Sequence, residues 1–500
     1  MADIAKTGHS RVFVTEGGAR PDHEPAYEPC WRVGGIDHGL GDVERIECPD
    51  PDSYSKWIEV AQIQTTESRP TTDIQGRYPV NEESKMARLA RRRCIIDIQN
   101  HLGRCTDPRN FNDCEKAVIF EDVLITNYST SELGALTTDA NAVIDETGAI
   151  SASRWYEALP IKFASKGDDV VTNPVIDVVI CDSASCGDCE DESDGCQKVF
   201  AVDDGATGSP GTAPDVLYSS DKGATWAADD VNSLASGEAA TGIACVDEYA
   251  VVISNASNSL HYKAKSDILD GVALGWAEVT TGFVVTGEPN DIWSTGTYAF
   301  IVGDGGYVYG TSDPTTGVTV LDAGVATTDN LNAVHALNEN FAVAVGATDA
   351  IIYTRNGTSW QVATATGGGN NLLAVWVVNE NLWWVGDDGG SLYYTLDGGN
   401  TWTEVTLPGT GWTDVNDIAF ATKSVGRIAV DKSGTPKGFV LETWDGGASW
   451  TALPRGTGTG TYPANDVMKA LAVCSNDVNL CVAVGTADNG TDGVIMVGTD

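Results

Sequence analysis

Ser219-Ser220-Asp221-Lys222-Gly223-Ala224-Thr225-Trp226, Thr395-Leu396-Asp397-Gly398-Gly399-Asn400-Thr401-Trp402 and Thr443-Trp444-Asp445-Gly446-Gly447-Ala448-Ser449-Trp450 spell one pattern three times. It reads Ser/Thr-x-Asp-x-Gly-x-Thr/Ser-Trp, and an apolar stretch such as Ser391-Leu392-Tyr393-Tyr394 precedes it. The chemistry is that of a hairpin turn. Asp221, Asp397 and Asp445 can accept backbone amides of their own turn. Gly223, Gly399 and Gly447 supply a positive φ at no steric cost. Trp226, Trp402 and Trp450 open the next strand and are expected to bury their rings between sheets. The pattern reads as structural and names no chemistry.

Working outward, the segments align as seven units beginning near residues 198, 242, 290, 331, 372, 415 and 467. One unit runs Leu-Leu-Ala-Val-Trp from 372, Leu-Trp-Trp-Val-Gly from 382, Ser-Leu-Tyr-Tyr-Thr from 391 and Trp-Thr-Glu-Val from 402. Four short strands per ~40 residues with turn residues between them is the signature of a β-propeller blade. The turn pattern is identified as the Asp-box, or BNR, repeat. Asn356-Gly357-Thr358-Ser359-Trp360 is a decayed copy, and Ser312-Asp313-Pro314 a weaker remnant. The last unit lacks its Trp strand and the first lacks an obvious first strand. An open strand edge invites aggregation, so the terminal segments are expected to close the ring together, giving seven blades, with six as the alternative.

Asp-boxes also occur in sialidases. Such an enzyme needs an arginine cluster for the substrate carboxylate, a Tyr nucleophile with a Glu partner and an acidic general acid. This half holds only Arg355, Arg427 and Arg455, and Arg355 falls inside a decayed Asp-box turn, so no catalytic residue is assigned. Gly303-Asp304-Gly305-Gly306 and the glycine-rich stretch 386–390 are too short for a calcium cage and fall where hairpin turns belong.

The formal charge of −41 is unevenly spread: of thirty Lys and Arg, nineteen precede residue 197. So acidic a surface repels phosphate backbones and anionic membranes, which argues against specific nucleic-acid binding. The start, from Met1 to His9, has no apolar core of a secretory signal. No apolar run approaches the ~18 residues of a membrane helix. Synthesis in a cytoplasm is expected.

Residues 1–180 are not propeller-like. Strands are expected at 10–14, 57–63, 94–98, 117–125, 157–163 and 175–180. One helix is readable, capped by Asn81, with Glu82 and Glu83 at its positive end and Met86, Leu89 and Ala90 on its apolar side. Arg91, Arg92 and Arg93 sit at its negative end, where cations are stabilised. The order of Trp-Arg-Val-Gly-Gly-Ile from 31, Gly-Leu-Gly-Asp from 39, Ile-Glu-Cys-Pro-Asp-Pro from 46 and a strand at Trp57 resembles the opening of tail tube proteins of long-tailed bacteriophages. The continuation is similar: Arg-Pro-Thr-Thr-Asp-Ile-Gln from 69, one helix, Ile-Asp-Ile-Gln-Asn-His-Leu-Gly from 96, a strand at 118–128 and Leu-Gly-Ala-Leu from 133. The resemblance implies a β-sandwich or barrel that forms six-membered rings, which stack into a tube through which the viral genome passes without specific binding. It also implies a virion location and an outward-facing C-terminal appendage.

Between the halves, Cys181, Cys186, Cys189 and Cys196 lie within sixteen residues. Four thiolates on zinc and two disulfides both fit this spacing. No other cofactor is expected. Cys474 and Cys481 flank a turn and can face each other across a hairpin, whereas Cys245 reads as a buried strand residue. The six His are scattered without ligand spacing.

The sequence therefore predicts a mainly β chain. Its parts are a ring-forming tail-tube-like domain over 1–180, a cysteine-rich acidic linker over 181–197 and an Asp-box propeller over 198–500. The expected function is a non-enzymatic virion protein whose displayed propeller adheres weakly to host-surface glycans. The alternative is a non-viral binding or assembly-factor propeller, related to photosystem assembly proteins, and a sialidase-like glycosidase ranks last.

Overall fold

A computed structural model of the chain describes residues 10–23, 26–28, 32–37, 46–50, 53–61, 71–79, 85–93, 95–102, 116–130, 143–158, 161–166, 171, 173–181, 197–205, 214–234, 238–254, 258–272, 275–284, 287–435, 437–453, 466–487 and 492–499. The chain divides into two compact units: residues 1–160 with the turn 444–449, and residues 161–443 with 450–500.

In the first unit a path of seven strands runs from Ala26–Glu28 through Ser10–Glu16, Ile96–Leu102, Lys116–Thr130, Val143–Ser151 and Thr71–Pro79 to Arg32–Asp37. Arg154–Ala158 adds to Lys116–Thr130, and Ile46–Asp50 pairs with Ser53–Ala61 apart from the main sheet. Laid flat, this path would span about 29 Å at ~4.8 Å per strand. Yet only residues 29–31 separate its two edge strands, and four Cα steps of 3.8 Å reach about 15 Å. The sheet is therefore strongly curled. The helix Lys85–Arg92 presents Met86 and Leu89, three residues apart and so on one face, to Val12, Val14, Ile74, Ile98 and Phe120. Arg91 and Arg92 occupy its last turn, and Arg93, at φ 50°, ends it. Asn81, Glu82 and Glu83 lie outside the described residues.

The second unit contains, among the described residues, seven four-stranded antiparallel sheets. Their first strands are Val175–Cys181, Ala240–Val246, Pro289–Ser294, Leu331–Asn338, Leu372–Val377, Trp412–Phe420 and Val467–Val473. Each first strand packs against the next and the seventh packs against the first, so the sheets form a closed ring around these strands. The strands are built from Val, Ile, Ala and aromatic residues, which suit a pleated surface buried on both faces.

The ring begins earlier than the sequence suggested. Val175–Cys181, assigned above to the N-terminal domain, is the first strand of the first sheet. Lys162–Lys166 is the outermost strand of the seventh sheet, pairing Phe163 with Gly498 and Ala164 with Val497. The boundary expected at 180 therefore falls at 160/161. The expected closure by both terminal segments occurs, but with a strand that lies before the cysteine cluster. Phe163 is buried against Met496 and Ala483, giving that strand a packing anchor.

A second regularity is invisible in composition. In each of the seven sheets the register between first and second strands slips at an equivalent residue: Ile176, Thr241, Asn290, Asn332, Leu373, Asn416 and Lys469, with a further slip in the fourth and the sixth sheet. A bulge of this kind re-aims side chains. Here it turns several of them toward the neighbouring sheet.

Candidate functional site in the central channel

The residue two positions beyond each bulge is aliphatic: Val178, Ile243, Ile292, Val334, Val375, Ile418 and Leu471. All seven line one cavity of about 370 Å³ enclosed by the first strands. The residue between bulge and belt is Asp in three sheets, namely Asp177, Asp291 and Asp417, and these also line the cavity.

Each carboxyl is held in the same way. Asp177 accepts the Val178 and Ile243 amides, both at 2.8 Å. Asp291 accepts Ile292 at 2.8 Å and Val334 at 2.7 Å. Asp417 accepts Ile418 and Leu471, both at 2.7 Å. One oxygen thus serves its own strand and the other serves the next sheet. The bulge residues add a second set of bridges. Thr241 donates to the Pro289 carbonyl, Asn290 to Leu331, Asn332 to Leu372 and Asn416 to Met468.

The three acids are half-buried at the channel wall, and the water lost there is the largest influence on their carboxyls. That loss raises Asp291 to about 6 and Asp417 to about 7 against their accepted amide bonds. Asp177 is raised well above the usual carboxylate range, first by burial and then by the charges of Asp291 and Asp417. The three carboxyls therefore sense one another.

Above the belt, three consecutive sheets contribute an aromatic stack. The His335 ring lies 4.3 Å from Trp293 and 4.1 Å from Trp376, centroid to centroid, and the two indoles meet edge-on at 5.3 Å. Both tryptophans are half-buried and line the cavity. His335 accepts the Val377 amide through Nδ1, which fixes the neutral tautomer with its proton on Nε2, and burial lowers its pKa to about 3.

The residues singled out in the sequence lie elsewhere, and the three Asp-boxes are not brought together. Each forms the turn between the third and outermost strands of its sheet, the first, fifth and sixth. None lines the channel. Asp221 accepts the Thr225 amide and hydroxyl at 2.8 and 2.7 Å, and Asp397 does the same with Thr401. Asp445 accepts the Ser449 amide and hydroxyl at 2.9 and 2.6 Å. Gly223, Gly399 and Gly447 stand at φ 80°, 83° and 92°. Trp450 is buried, whereas Trp226 and Trp402 are half-buried. All three rings nonetheless pack on cores shared by neighbouring sheets: Trp226 on that of the first and seventh, Trp402 on that of the fourth and fifth, where it donates to the Thr364 carbonyl at 2.7 Å, and Trp450 on that of the fifth and sixth.

Of the arginines, Arg355 pairs with Glu380 at the rim and Arg427 is sealed against Glu442, while Arg455 lies outside the described residues. Asp304 and Asp387 occupy turns between second and third strands and accept Asn290 and turn amides.

The cysteines also pair differently. Cys181 bonds to Cys245, joining the first strands of the first and second sheets. Cys186, Cys189 and Cys196 lie outside the described residues. Cys474 and Cys481 do not bond to each other: Cys474 is in a disulfide and Cys481 is a free buried thiol. Cys481 registers opposite Val473, so Cys474, one residue on, faces the other side of the strand. The two sulfurs accordingly belong to different core clusters.

The channel acids were missed. Their signal was present in Ile176-Asp177-Val178, Asn290-Asp291-Ile292 and Asn416-Asp417-Ile418, the same place in three units.

No protein-family model and no curated protein matches this chain. Solved structures do. YCF48 from Cyanidioschyzon merolae superposes with a TM-score of 0.50 at 14% identity, covering 67% of this chain and 98% of the other. YCF48 bound to D1 peptide gives 0.49 at 15%, covering 69% and 98%. Selenomethionine-substituted virginiamycin B lyase from Staphylococcus aureus gives 0.48 at 10%, covering 67% and 99%. The fold is a β-propeller. At these identities the likeness concerns the fold alone, and it lends no support to a tail tube domain.

Proposed function

We propose that this chain is a non-catalytic binding protein whose seven-bladed propeller takes a short segment of a partner polypeptide at the aromatic end of its channel. The observation that carries the reading is the cavity of about 370 Å³, with an aliphatic belt and two half-buried indoles. A few convergent polar groups in a largely apolar concavity are the features of a recognition pocket. Its carboxyls are each committed to two amides of the scaffold, which suits them to holding the ring rather than to acid–base chemistry. Selection of a displayed peptide library on the purified full chain tests this. Enriched peptides should bind wild type and lose at least tenfold affinity to Trp376→Ala, with thermal melting used to confirm that the variant is folded. No enrichment, or equal binding to the variant, would overturn the reading.

A second reading concerns the N-terminal unit. Its curled sheet with one helix is compatible with the ring-forming tail tube domain that the sequence resembles. On that reading six copies assemble and stack, the genome passes through the lumen, and the propeller is displayed on a virion toward host glycans. Electron microscopy of the purified chain decides it: rings or tubes support it, and isolated particles at high concentration sink it.

A further inference from the structure

We infer that the channel admits one lysine side chain of the partner segment, its ammonium set among Asp177, Asp291 and Asp417 and its stem laid along the aliphatic belt. This names the partner chemistry of the site proposed above and rests on that reading.

The channel wall is layered. Asp291, Ile292 and Trp293 follow one another on a single strand, and all three line the cavity. They set an acid layer, the belt and an indole layer in that order along the channel. Asp177 with Val178 and Asp417 with Ile418 repeat the first two layers, and Val375 with Trp376 repeats the last two. At ~3.3 Å of rise per residue the acids and the indoles stand about 7 Å apart along the strand. An extended lysine reaches roughly 6 Å from Cα to Nζ. A peptide backbone resting at the indoles therefore brings a lysine ammonium down to the acids.

The charge of the wall asks for a cation. Both oxygens of each carboxyl accept a backbone amide, which favours the ionised form. Each ionised oxygen has a second lone pair, and the half-buried position of the three acids leaves room for a further donor. Among the described residues no Lys, Arg or His lines the cavity, so the acids meet no counter-charge there. Burial and then the neighbouring charge of Asp291 work against ionised Asp177, and a cation among the three offsets both effects.

The belt selects the kind of cation. Among the described residues no three acids are grouped to hold a metal ion, whereas a lysine buries its methylenes on apolar surface and keeps its head polar. The donors of an ammonium can be shared among carboxylates around it, directly or through water. A planar guanidinium instead prefers a bidentate carboxylate, and here both oxygens of every acid already serve the scaffold. The formal charge of −41 would draw such a segment in from a distance.

Three displayed peptide libraries, alike except for a fixed central Lys, Met or Glu, test this on the purified full chain. The Lys library should be retained, and its best peptide should lose roughly tenfold or more in affinity when the central lysine is acetylated at Nζ. Asp291→Asn should weaken that peptide to a similar degree, with thermal melting to confirm folding and Asp177→Asn as the second variant if the first does not fold. Retention of the Met or Glu library instead overturns the lysine inference and leaves the binding reading standing. If no library is retained, both fall. Equal binding of the acetylated peptide also overturns the inference. So does binding that Trp376→Ala leaves intact, because it would be general attraction to an acidic surface.

Discussion

Asp417 and Leu471 are joined across the boundary between the sixth and seventh sheets by a 2.7 Å bond from the Leu471 amide to the Asp417 carboxyl. Among the described residues, backbone bonds between neighbouring sheets are isolated ones such as Asp247 to the Gly296 carbonyl, so cohesion rests largely on packed side chains and on bridges of this kind. The bulge before Asp417 makes the bridge reachable, and Asn416 donates to the Met468 carbonyl beside it. Acceptor and donor leave adjacent residues and reach the same neighbouring strand.

Removing such a bridge should therefore cost more than removing a surface hydrogen bond. Asp291→Ala strands the Ile292 and Val334 amides inside the ring. With about 1–3 kcal/mol for each buried group left unpaired, the loss should be about 2–4 kcal/mol by urea unfolding near pH 5. A loss below roughly 1 kcal/mol would mean that water satisfies both amides.

The ring should depend on its early strand. Phe163 anchors the outermost strand of the seventh sheet against Met496, and Phe163→Ala should cost about 3–5 kcal/mol through the cavity left behind. A chain starting at Val171 loses that strand altogether. It exposes the edge of Gly493–Thr499 and should aggregate on heating where the full chain does not. Light scattering during a thermal ramp makes the comparison, and equal behaviour would show that Lys162–Lys166 is dispensable.

How much of this was legible in the sequence depends on the range of the interaction that sets each feature. Asp397, Gly399 and Thr401 act on one another within a single turn, so their roles could be read from spacing alone. The repeat period gave the sheets for the same local reason. Long-range pairings were read less well. Lys162–Lys166 meets Gly493–Thr499 across the whole propeller, and nothing local marks it as a blade strand. Cys181 meets Cys245 rather than its near neighbours because adjacent first strands bring them together. Asp417 looked like one of seventy-one acidic residues until the bulge showed where it points.

Arg427 and Glu442 form an ion pair sealed from solvent, with Arg427 also donating to the Val478 carbonyl at 2.8 Å. Breaking a buried pair from one side leaves an uncompensated charge, so Arg427→Met should cost about 3–5 kcal/mol. Replacing both partners, Arg427→Met with Glu442→Leu, should recover most of that loss. Denaturant midpoints of the three proteins check this. A double variant as unstable as the single one would show that packing, not charge, sets the cost.

The Asp-box turns rank by burial. Trp450→Ala removes a buried indole and should cost about 3–5 kcal/mol. Trp402→Ala removes a half-buried one and should cost roughly half as much. Asp397 is exposed. Although burial pushes its pKa upward, the bonds from Thr401 and Thr395 hold it below the usual range. Asp397→Ala should therefore cost about 1 kcal/mol. Calorimetry of the three variants gives the order, and Asp397→Ala as the most damaging change would make these turns more than local structure.

Two buried histidines impose a pH dependence on stability. His335 lies between Trp293 and Trp376 with its pKa lowered to about 3 by burial. His261 bonds the Ser233 and Ser259 hydroxyls, both at 2.7 Å, and is lowered to about 4 by the same cause. Each ring is neutral in the folded chain, whereas the unfolded chain protonates near 6.5. As pH falls below that value the unfolded state takes up protons that the folded state refuses, so stability declines toward pH 4. His335→Phe keeps the aromatic stack and removes the titration. Its stability should fall less steeply than wild type between pH 6.5 and 4, with the two curves differing by about tenfold in the folding equilibrium for each pH unit crossed. Parallel curves from urea unfolding at a series of pH values would show that His335 is already charged in the folded protein.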